Sequence, residues 1–341
     1  MKVLSFGEML LRLASPGYTR LFQENKLITS FCGAEANVAV SLAMFGLDSG
    51  FITIVPDNDI GQAAINSLRY FGVDTKPVIY GNGRMGLYYI EKGASQRATK
   101  VIYDRKYSAM AMAAKEVFNW DMILEGYNWF HWSGINPAIS EQMIDICQIA
   151  CETARKKGIM ISCDLNYREN LWSSSKAQTV MNKLMPYVDV CIANEEDADK
   201  SLGIQTIDTD VSKGNLSRQG YEEVAKKICE LYGCKYVATT LRESYSASDN
   251  GWSGMLYSNL ENKTAFSRKY DIHLVDRVGG GDSFSAGLIY GIINKMGMEN
   301  SLEFATAASC LKQTMEGDFN RTSVNEVMKL ISGGGNGRVQ R

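Results

Sequence analysis

The feature that most constrains the fold is a regular alternation of short apolar runs with helical patterns along the chain. Runs such as KVLSFG, WFHWSG and IMISCDLN are typical of buried strands, and helical segments separate most of them. Strands that alternate with helices favour a parallel sheet covered by helices on both faces. We therefore predict an α/β fold with a doubly wound, mostly parallel sheet.

Helical periodicity predicts helices over Glu35–Gly46, Ile60–Gly72, Ser140–Lys157, Lys176–Met185 and Tyr221–Tyr232. Residues 9–31 and 84–107 interrupt the alternation of strands and helices, because their pattern predicts strands joined by turns and no helix. They predict a small β-sheet lid over a site at the carboxyl ends of the parallel strands. We expect one domain over residues 1–332, followed by a flexible Gly-rich tail over residues 333–341.

Composition excludes several classes of protein. The chain has 341 residues, 45% of them hydrophobic, and a net charge of −2 with Lys and Arg scattered, so neither a nucleic-acid surface nor a polybasic membrane patch is expected. Glu8 and Arg12 interrupt the first apolar stretch, which argues against a signal peptide, and no run is long enough to span a bilayer. Eight cysteines without a CxxC pair suggest buried free thiols in a cytoplasmic protein, and two histidines make a structural zinc site improbable.

The segment DRVGGGDSFSAGL, which begins at Asp276, contains three consecutive glycines and then an acid. An amphipathic helix is expected over Ser283–Met296, ended by Gly297, with Asp282 as its N-cap. The glycines Gly279–Gly281 either form a plain turn or present N–H groups at a helix N-terminus to a phosphate. In the second case Asp282 is placed to accept a proton during phosphoryl transfer. No GK[ST] follows, so this is not a Walker A loop, and the first strand is not followed by the dinucleotide fingerprint.

The same segment resembles the second signature of the ribokinase-like (PfkB) sugar kinases, D-T-x-G-A-G-D-x-F, with Arg277 in place of Thr and Gly280 in place of Ala. The segment CGAEANVAVSLAMFG, which begins at Cys32, resembles the N-terminal family marker, with Ala34 in place of its second Gly. The segment NEED resembles the family's N-x-x-E motif, with Asp197 in place of Glu. These elements occur in the family's order over nearly the whole chain.

The resemblance implies a ribokinase-like fold and an ATP-dependent carbohydrate kinase that uses Mg²⁺, and it leaves a potassium ion open. It implies catalytic roles for Asp282, Gly279, Gly280 and Gly281; substrate contacts from Gly33, Ala34, Asn37, Tyr89, Tyr103, Arg105, Arg168 and Asp318; and nucleotide contacts from Asn166, Arg168, Asn194, Thr240, Gly279 and Gly281. Asp197 would hold a metal through water, and Asp276 would lie at a monovalent-cation loop.

Within this family the chain looks most like kinases of 2-keto-3-deoxygluconate, on the segments LYYIEKG, RATKVIYDRKYSA, DLNYRENLW and EGDFN. The implied reaction phosphorylates the terminal hydroxyl to give 2-keto-3-deoxy-6-phosphogluconate. A sugar acid needs a cation for its carboxylate, and Arg105 and Arg168 are the candidates. The alternatives are a kinase of a neutral sugar such as fructose or ribose, a nucleoside kinase, or a non-catalytic sugar-binding regulator. The edge of the lid sheet could also pair between two copies of the chain.

Overall fold

The structure is a computed structural model that describes residues 1–194, 196–205 and 218–334. Most of the expected tail, residues 335–341, lies outside this range. The strands are β1 (Lys2–Phe6), β2 (Leu10–Ala14), β3 (Ile28–Cys32), β4 (Asp48–Ile52), β5 (Ile54–Pro56), β6 (Ile79–Gly81), β7 (Gly86–Glu91), β8 (Lys100–Asp104), β9 (Trp129–Ser133), β10 (Met160–Asp164), β11 (Val190–Ala193), β12 (Tyr236–Ser244), β13 (Asp249–Ser258), β14 (Lys263–Phe266) and β15 (Tyr270–His273).

The helices are α1 (Ala34–Met44), α2 (Asp59–Tyr70), α3 (Trp120–Ile123), α4 (Ile135–Ile139), α5 (Glu141–Lys156), α6 (Ser174–Leu184), α7 (Asp197–Leu202), α8 (Arg218–Tyr232), α9 (Gly280–Ile293), α10 (Met298–Lys312) and α11 (Val324–Ile331). Short 3₁₀ turns occupy Lys115–Val117 and Met185–Tyr187. The helices that were expected before residue 240 are all present, with ends that differ by a few residues.

The main sheet has the order β14–β13–β12–β11–β10–β9–β1–β4, and β15 also pairs with β13. Within this sheet, neighbouring strands of the row β12, β11, β10, β9, β1 and β4 are parallel. Strand β13 pairs antiparallel with β12, β14 and β15. Adjacent residues of β1 pack on opposite faces of the sheet, since Val3 and Leu4 belong to two different clusters of buried apolar side chains. Helices therefore cover both faces, which confirms the predicted doubly wound α/β class.

A second, four-stranded sheet has the order β3–β2–β7–β8. Its strands come from the two segments that were singled out as irregular, and β7 and β8 form an antiparallel hairpin. Leu10, Tyr88 and Ile90 form a small apolar cluster with Cys32. All eight cysteines are free and buried, as expected. We call this second sheet the lid sheet; the expected division into one domain with a tail stays a prediction.

The boundaries of α9 differ from the sequence prediction. The helix begins at Gly280, because Gly279 at its N-cap has a left-handed backbone with φ of 80°. Asp282 therefore lies inside the first turn and makes no capping bond, so its assignment as the N-cap was wrong. The helix ends at Ile293, and Gly297 is instead the N-cap residue of α10.

Candidate active site

A cavity of about 460 Å³ lies where the carboxyl ends of the parallel strands meet the lid sheet. The order of the strands reverses at β1: the chain continues to β4 on one side of it and later to β9, β10, β11 and β12 on the other side. Strand β1 is therefore the switch point of the main sheet. Ligands of open α/β sheets bind at such points, outside the carboxyl ends of the strands. Glu8 after β1, Asp164 at the end of β10 and Asn194 after β11 all line the cavity, so it is in the expected place for a ligand site.

The glycine run forms one wall of this cavity. Gly279 approaches the backbone closely, and a Cβ there would lie 2.2 Å from the carbonyl oxygen of Asp318. A Cβ on Gly281, in contrast, would meet no atom within 4 Å. Gly281 thus presents bare backbone to open space at the first turn of α9, where free N–H groups and the helix dipole favour an anion.

Asp282 follows these glycines and lines the same cavity. Its Oδ2 accepts a hydrogen bond of 2.6 Å from Nδ2 of Asn37, which lies on the buried face of α1. Burial raises the pKa of Asp282 to about 6, although the bond from Asn37 opposes this rise. A carboxyl group with a pKa just below neutral is suited to proton transfer at neutral pH.

Other acidic groups surround this carboxylate. Burial raises the pKa of Glu35 on α1 to about 7, and its Oε1 accepts a hydrogen bond from Ser133. Burial also raises the pKa of Asp164 well above its usual range, and the charges of Asp197 and Asp282 add to that rise. The raised pKa values show that negative charge is disfavoured at this wall, so a bound cation would stabilise the charged forms of these acids.

Asp197 holds two loops together through its carboxylate. Its Oδ1 accepts from the backbone N–H of Tyr167 and its Oδ2 from that of Asn194, both at 3.0 Å. Asn194 in turn accepts from the N–H groups of residues 196 and 197. Arg168, next to Tyr167, also lines the cavity. Because both oxygens of Asp197 already meet N–H groups, its expected metal contact through water stays a prediction.

The lid side of the cavity contains a buried ion pair. Nε of Arg105 lies 2.7 Å from Oε2 of Glu8, and Nη2 contacts the same oxygen. The hydroxyl of Ser108 donates to the other oxygen of Glu8. Tyr103 lies beside this pair, with the Arg105 guanidinium 5.8 Å from its ring centre. The geometry thus fixes the Arg105 side chain against the cavity.

Tyr89 does not line the cavity, contrary to the sequence expectation. It packs against Phe22, at 6.3 Å between ring centres, because adjacent residues of β7 point to opposite faces of the lid sheet. Its neighbour Tyr88 lines the cavity instead and donates a hydrogen bond of 2.6 Å to Asp318. The period-2 alternation in LYYIE could have indicated that only one of these two tyrosines faces the site.

Asp276 also lies outside the cavity lining. Its carboxylate is 2.5 Å from Arg12, a fully buried residue of β2 that bridges Asp276 and Asp318. Burial lowers the pKa of Arg12, but the charges of Asp318 and Asp276 raise it more, so the guanidinium stays charged. The network ties the lid sheet to the glycine loop. In the sequence, this network was indicated only by the position of Arg12 inside the otherwise apolar run MLLRLA.

The remaining expected residues meet at the cavity: Gly33, Ala34, Asn37, Tyr103, Arg105, Asn166, Arg168, Asn194, Asp197, Thr240, Gly279, Gly280, Gly281, Asp282 and Asp318. The structure adds Glu8, Glu35, Tyr88, Asp164, Arg242, Arg277 and Gln313 to its lining. Burial and the nearby charge of Arg242 lower the pKa of Arg277. Two guanidinium groups so close together favour an anion on this side.

Neither histidine belongs to the site. His131 is buried in β9, hydrogen-bonded to Ser162, and burial lowers its pKa to about 3. His273 is exposed and pairs with Asp249. Among the described residues, no three His, Cys, Asp or Glu side chains converge as a ready metal site. No helix within the described ranges is long and apolar enough to cross a bilayer.

A doubly wound sheet, a lid sheet, a glycine-lined helix N-terminus and an adjacent acid define a phosphoryl-transfer enzyme of the ribokinase-like class. The family model of the pfkB carbohydrate kinases matches residues 1–322, so the chain belongs to that family. It is an ATP-dependent sugar kinase.

Three relatives illustrate the likeness. The chain is 47% identical to 2-dehydro-3-deoxygluconokinase of Thermotoga maritima, whose crystal structure superposes with a TM-score of 0.93 over 97% of this chain and 99% of that one. It is 30% identical to 2-dehydro-3-deoxygalactonokinase of Haloferax volcanii over 98% of this chain and 97% of that protein. It is 25% identical to fructokinase-1 of Oryza sativa over 96% of this chain and 97% of that protein. The resemblance to kinases of 2-keto-3-deoxy sugar acids is thereby confirmed.

Proposed function

We propose that the protein transfers the γ-phosphoryl group of ATP to the terminal hydroxyl of 2-keto-3-deoxygluconate, giving 2-keto-3-deoxy-6-phosphogluconate. The observation that carries this proposal is the guanidinium of Arg105, which Glu8 fixes beneath the lid sheet at the cavity wall. A sugar acid brings a carboxylate that must leave water, and an arginine can meet it with paired hydrogen bonds. The likeness to the Thermotoga maritima kinase supports the same substrate.

The carboxylate would be shared between two arginines. Nε and Nη2 of Arg105 donate to Glu8. Among the described residues Nη1 makes no hydrogen bond, so it is available for a ligand. Since Glu8 neutralises Arg105, a second cation is needed. Arg168 lines the same cavity and forms no salt bridge with a described carboxylate, although its charge lowers the pKa of Asp282. The hydroxyl of Tyr103 would donate to the sugar, whereas that of Tyr88, which already donates to Asp318, would accept from it.

Asp282 would accept the proton of the attacking hydroxyl. Its pKa of about 6 makes it ionised at neutral pH yet basic enough to receive that proton. The hydrogen bond from Asn37 orients the carboxylate toward the cavity. The N–H groups of Gly281 and Asp282 would hold the developing charge on the phosphoryl oxygens, whereas that of Gly280 donates to the carbonyl of Arg277.

The acids of the cavity suit Mg²⁺, which prefers carboxylate oxygens. The raised pKa of Asp164, which burial and the charges of Asp197 and Asp282 cause, marks a carboxylate that a nearby cation would stabilise. Asp164 and Asp197 would therefore hold the ion, Asp197 through water. When bound with ATP, Mg²⁺ neutralises charge on the phosphates. The lid sheet would exclude water once both substrates are bound.

A kinase of the galactonate epimer is the second candidate, because the Haloferax volcanii relative is named for that sugar. Purified protein should be assayed with ATP and Mg²⁺ on the gluconate and galactonate forms, fructose and ribose, with ADP release as the readout. We expect kcat/KM to be highest for 2-keto-3-deoxygluconate. A preference for fructose or ribose would refute the acid-sugar proposal while leaving the kinase assignment intact.

Arg105→Ala should lower kcat/KM for the acid sugar far more than for a neutral ketose. The expected loss is about 2–5 kcal/mol, since the substrate carboxylate loses a buried, hydrogen-bonded partner. The change also leaves Glu8 buried without its cation, so the double variant Glu8→Gln, Arg105→Ala should show the same selective loss. Arg84→Ala is the matched control, because Arg84 is half-exposed and pairs with Asp104 near the lid sheet. Equal losses for both sugars would make Arg105 a structural residue.

Association of two copies through the lid sheet stays a proposal. The apolar side chains of Phe22, Ile28 and Ile102 are exposed on or beside this sheet. Its outer strands β3 and β8 each have one unpaired edge in the described part of the chain. Light scattering of the purified protein would test for a dimer.

A further inference from the structure

The last residue of α10, Lys312, has no exposed surface, although its side chain carries an ammonium group. A buried lysine is costly unless hydrogen bonds and charges compensate it. Its Nζ lies 3.0 Å from the backbone carbonyl oxygen of Asp276 and also contacts that of Val278. Val278 directly precedes the glycine run, and Asp276 lies two residues before Val278. Lys312 is therefore placed behind the loop, on the side away from the phosphate-facing N–H groups.

The position follows from how an anion-binding loop is built. The peptide unit that turns the N–H of Gly281 toward the cavity turns the carbonyl of Gly280 to the opposite side, and the carbonyls of Asp276 and Val278 lie in the segment that leads into the loop; all three oxygens need donors. Helix α10 supplies them: Lys312 meets two carbonyls, and the hydroxyl of Ser309 donates to the carbonyl of Gly280 at 2.7 Å. All three hydrogen bonds are buried or partly buried, so water does not compete for these carbonyls.

The charges around Lys312 make the ammonium tolerable. Burial lowers its pKa, while the charges of Asp276, Asp318 and Asp282 oppose that fall and Arg12 adds to it. Asp276 also pairs with Arg12, so the loop is held from two sides, with Arg12 on the carboxylate and Lys312 on the carbonyl. The Lys312 charge also affects Asp282 directly, since it lowers the pKa of that carboxyl.

This arrangement does not fit the monovalent cation that was expected at Asp276. A potassium ion would need the carbonyl oxygens of this loop as ligands, and the Lys312 ammonium already binds those of Asp276 and Val278. The two cations are mutually exclusive at this place because both the oxygens and the space are taken. Lys312 Cε also lies 3.3 Å from the position of a Cβ on Gly279, so the side chain is packed against the loop itself.

We infer that Lys312 is a positioning residue whose ammonium group replaces a monovalent cation behind the phosphate-binding loop, so that phosphoryl transfer by this protein needs no potassium. Its charge holds the loop carbonyls in place and adds positive potential behind the N–H groups. The inference depends on the kinase activity but not on which sugar is phosphorylated, so the assay can use whichever sugar the substrate panel selects.

The first experiment needs no variant. Rates of the unaltered protein should be compared in KCl, NH₄Cl and choline chloride at matched ionic strength, with ATP and Mg²⁺ supplied as choline- or Tris-balanced salts. We expect kcat and KM for ATP to agree within about twofold across the three salts. Activation by potassium of tenfold or more over choline would overturn the inference, whether or not any variant folds.

The second experiment compares Lys312→Ala with Lys312→Met. The alanine variant removes the ammonium and leaves space, whereas the methionine variant fills that space without charge. Both should lose at least tenfold in kcat and bind ATP more weakly. Potassium, ammonium or methylamine should restore activity to Lys312→Ala but not to Lys312→Met, because only the former has room for an added cation. A role in packing alone would give no such rescue.

Two controls complete the test. Lys227→Met, at an exposed position on α8, should keep the rate and the salt profile of the unaltered protein. Circular dichroism should show that the Lys312 variants are folded. If folded Lys312→Met keeps the normal kcat and KM for ATP, Lys312 does not position the loop and the inference fails.

Discussion

Replacing Asp282 by Asn removes a charge that burial disfavours while keeping the size of the side chain. Burial raises the pKa of Asp282 from 3.8 to about 6 in the folded protein. Between these two values the folded state binds a proton that the unfolded chain releases, so the free energy of unfolding falls as the pH rises through this window. At about 1.36 kcal/mol per pKa unit, the loss at neutral pH is at most about 3 kcal/mol.

The variant should therefore be more stable than the unaltered protein at pH 7.5. The substituted asparagine carries no charge, but its carbonyl oxygen can still accept the hydrogen bond from Asn37. Exchanging a charge-assisted bond for a neutral one costs about 1 kcal/mol, which leaves a net gain of about 1–2 kcal/mol. For a chain of this size that corresponds to a rise of a few °C in Tm. The gain should shrink toward pH 4, where the Asp282 carboxyl of the folded protein is already neutral.

Turnover should change in the opposite direction. Loss of a general base lowers the rate by roughly 10²–10⁴, so Asp282→Asn should be nearly inactive while still binding ATP. In the unaltered protein kcat/KM should rise with pH up to about 6 and then level off, because the base acts only when deprotonated.

Thermal melts at pH 7.5 and 4.5, with ADP release measured on the same preparations, test both expectations. Asp121→Asn is the matched control, since Asp121 is exposed and does not belong to the cavity lining. A variant that keeps near-normal turnover would refute the assignment of Asp282 as the base. A variant that is less stable at pH 7.5, or whose advantage grows as the pH falls, would refute the reasoning from burial.

Further variants test the two ends of the cavity. Gly281→Val should fold normally, since a Cβ there meets no atom within 4 Å, yet raise the Kd for ATP about tenfold or more by blocking the phosphate; unchanged ATP affinity in calorimetry would make the glycines a plain turn. Arg277→Thr, which restores the usual family residue, should weaken ATP binding severalfold, because it removes one of two clustered guanidiniums; equal Kd values would count against an anion beside Arg277. Tyr88→Phe should raise KM for the sugar, whereas Tyr89→Phe should not, since only Tyr88 faces the cavity; the reverse order would contradict the strand register.

Much of the fold was predictable because it depends on local periodicity. Alternating apolar runs and helices favour a parallel sheet, and the two stretches without helices became the lid sheet. The glycine segment was interpreted through its resemblance to the family's second signature, since three glycines before an acid are by themselves also compatible with a plain turn. Part of the site was predictable for a related reason: Asn166 and Asn194 follow β10 and β11, and the carboxyl ends of parallel strands share one edge of the sheet.

Other features depend on contacts between residues far apart in sequence. The choice between Tyr88 and Tyr89 depends on the register of β7 with β2, which a one-residue slip would reverse. The backbone conformation of Gly279 decided where α9 begins, and so removed Asp282 from the cap position. The local sequence does not predict the start of α9, because the close approach of the Asp318 backbone constrains the conformation of Gly279.

The buried charges are the clearest case of what only the tertiary structure decided. Arg12 and Lys312 lie in apolar segments where a sequence pattern gives no partner, and each finds its partners across the fold. Arg12 on the lid sheet meets Asp276 beside the glycine loop, and Lys312 meets carbonyl groups more than thirty residues earlier in the chain. The periodicity of the sequence predicts which side chains are buried. The partners of a buried charge depend instead on distances between residues far apart in the chain, and these distances are set by the tertiary structure.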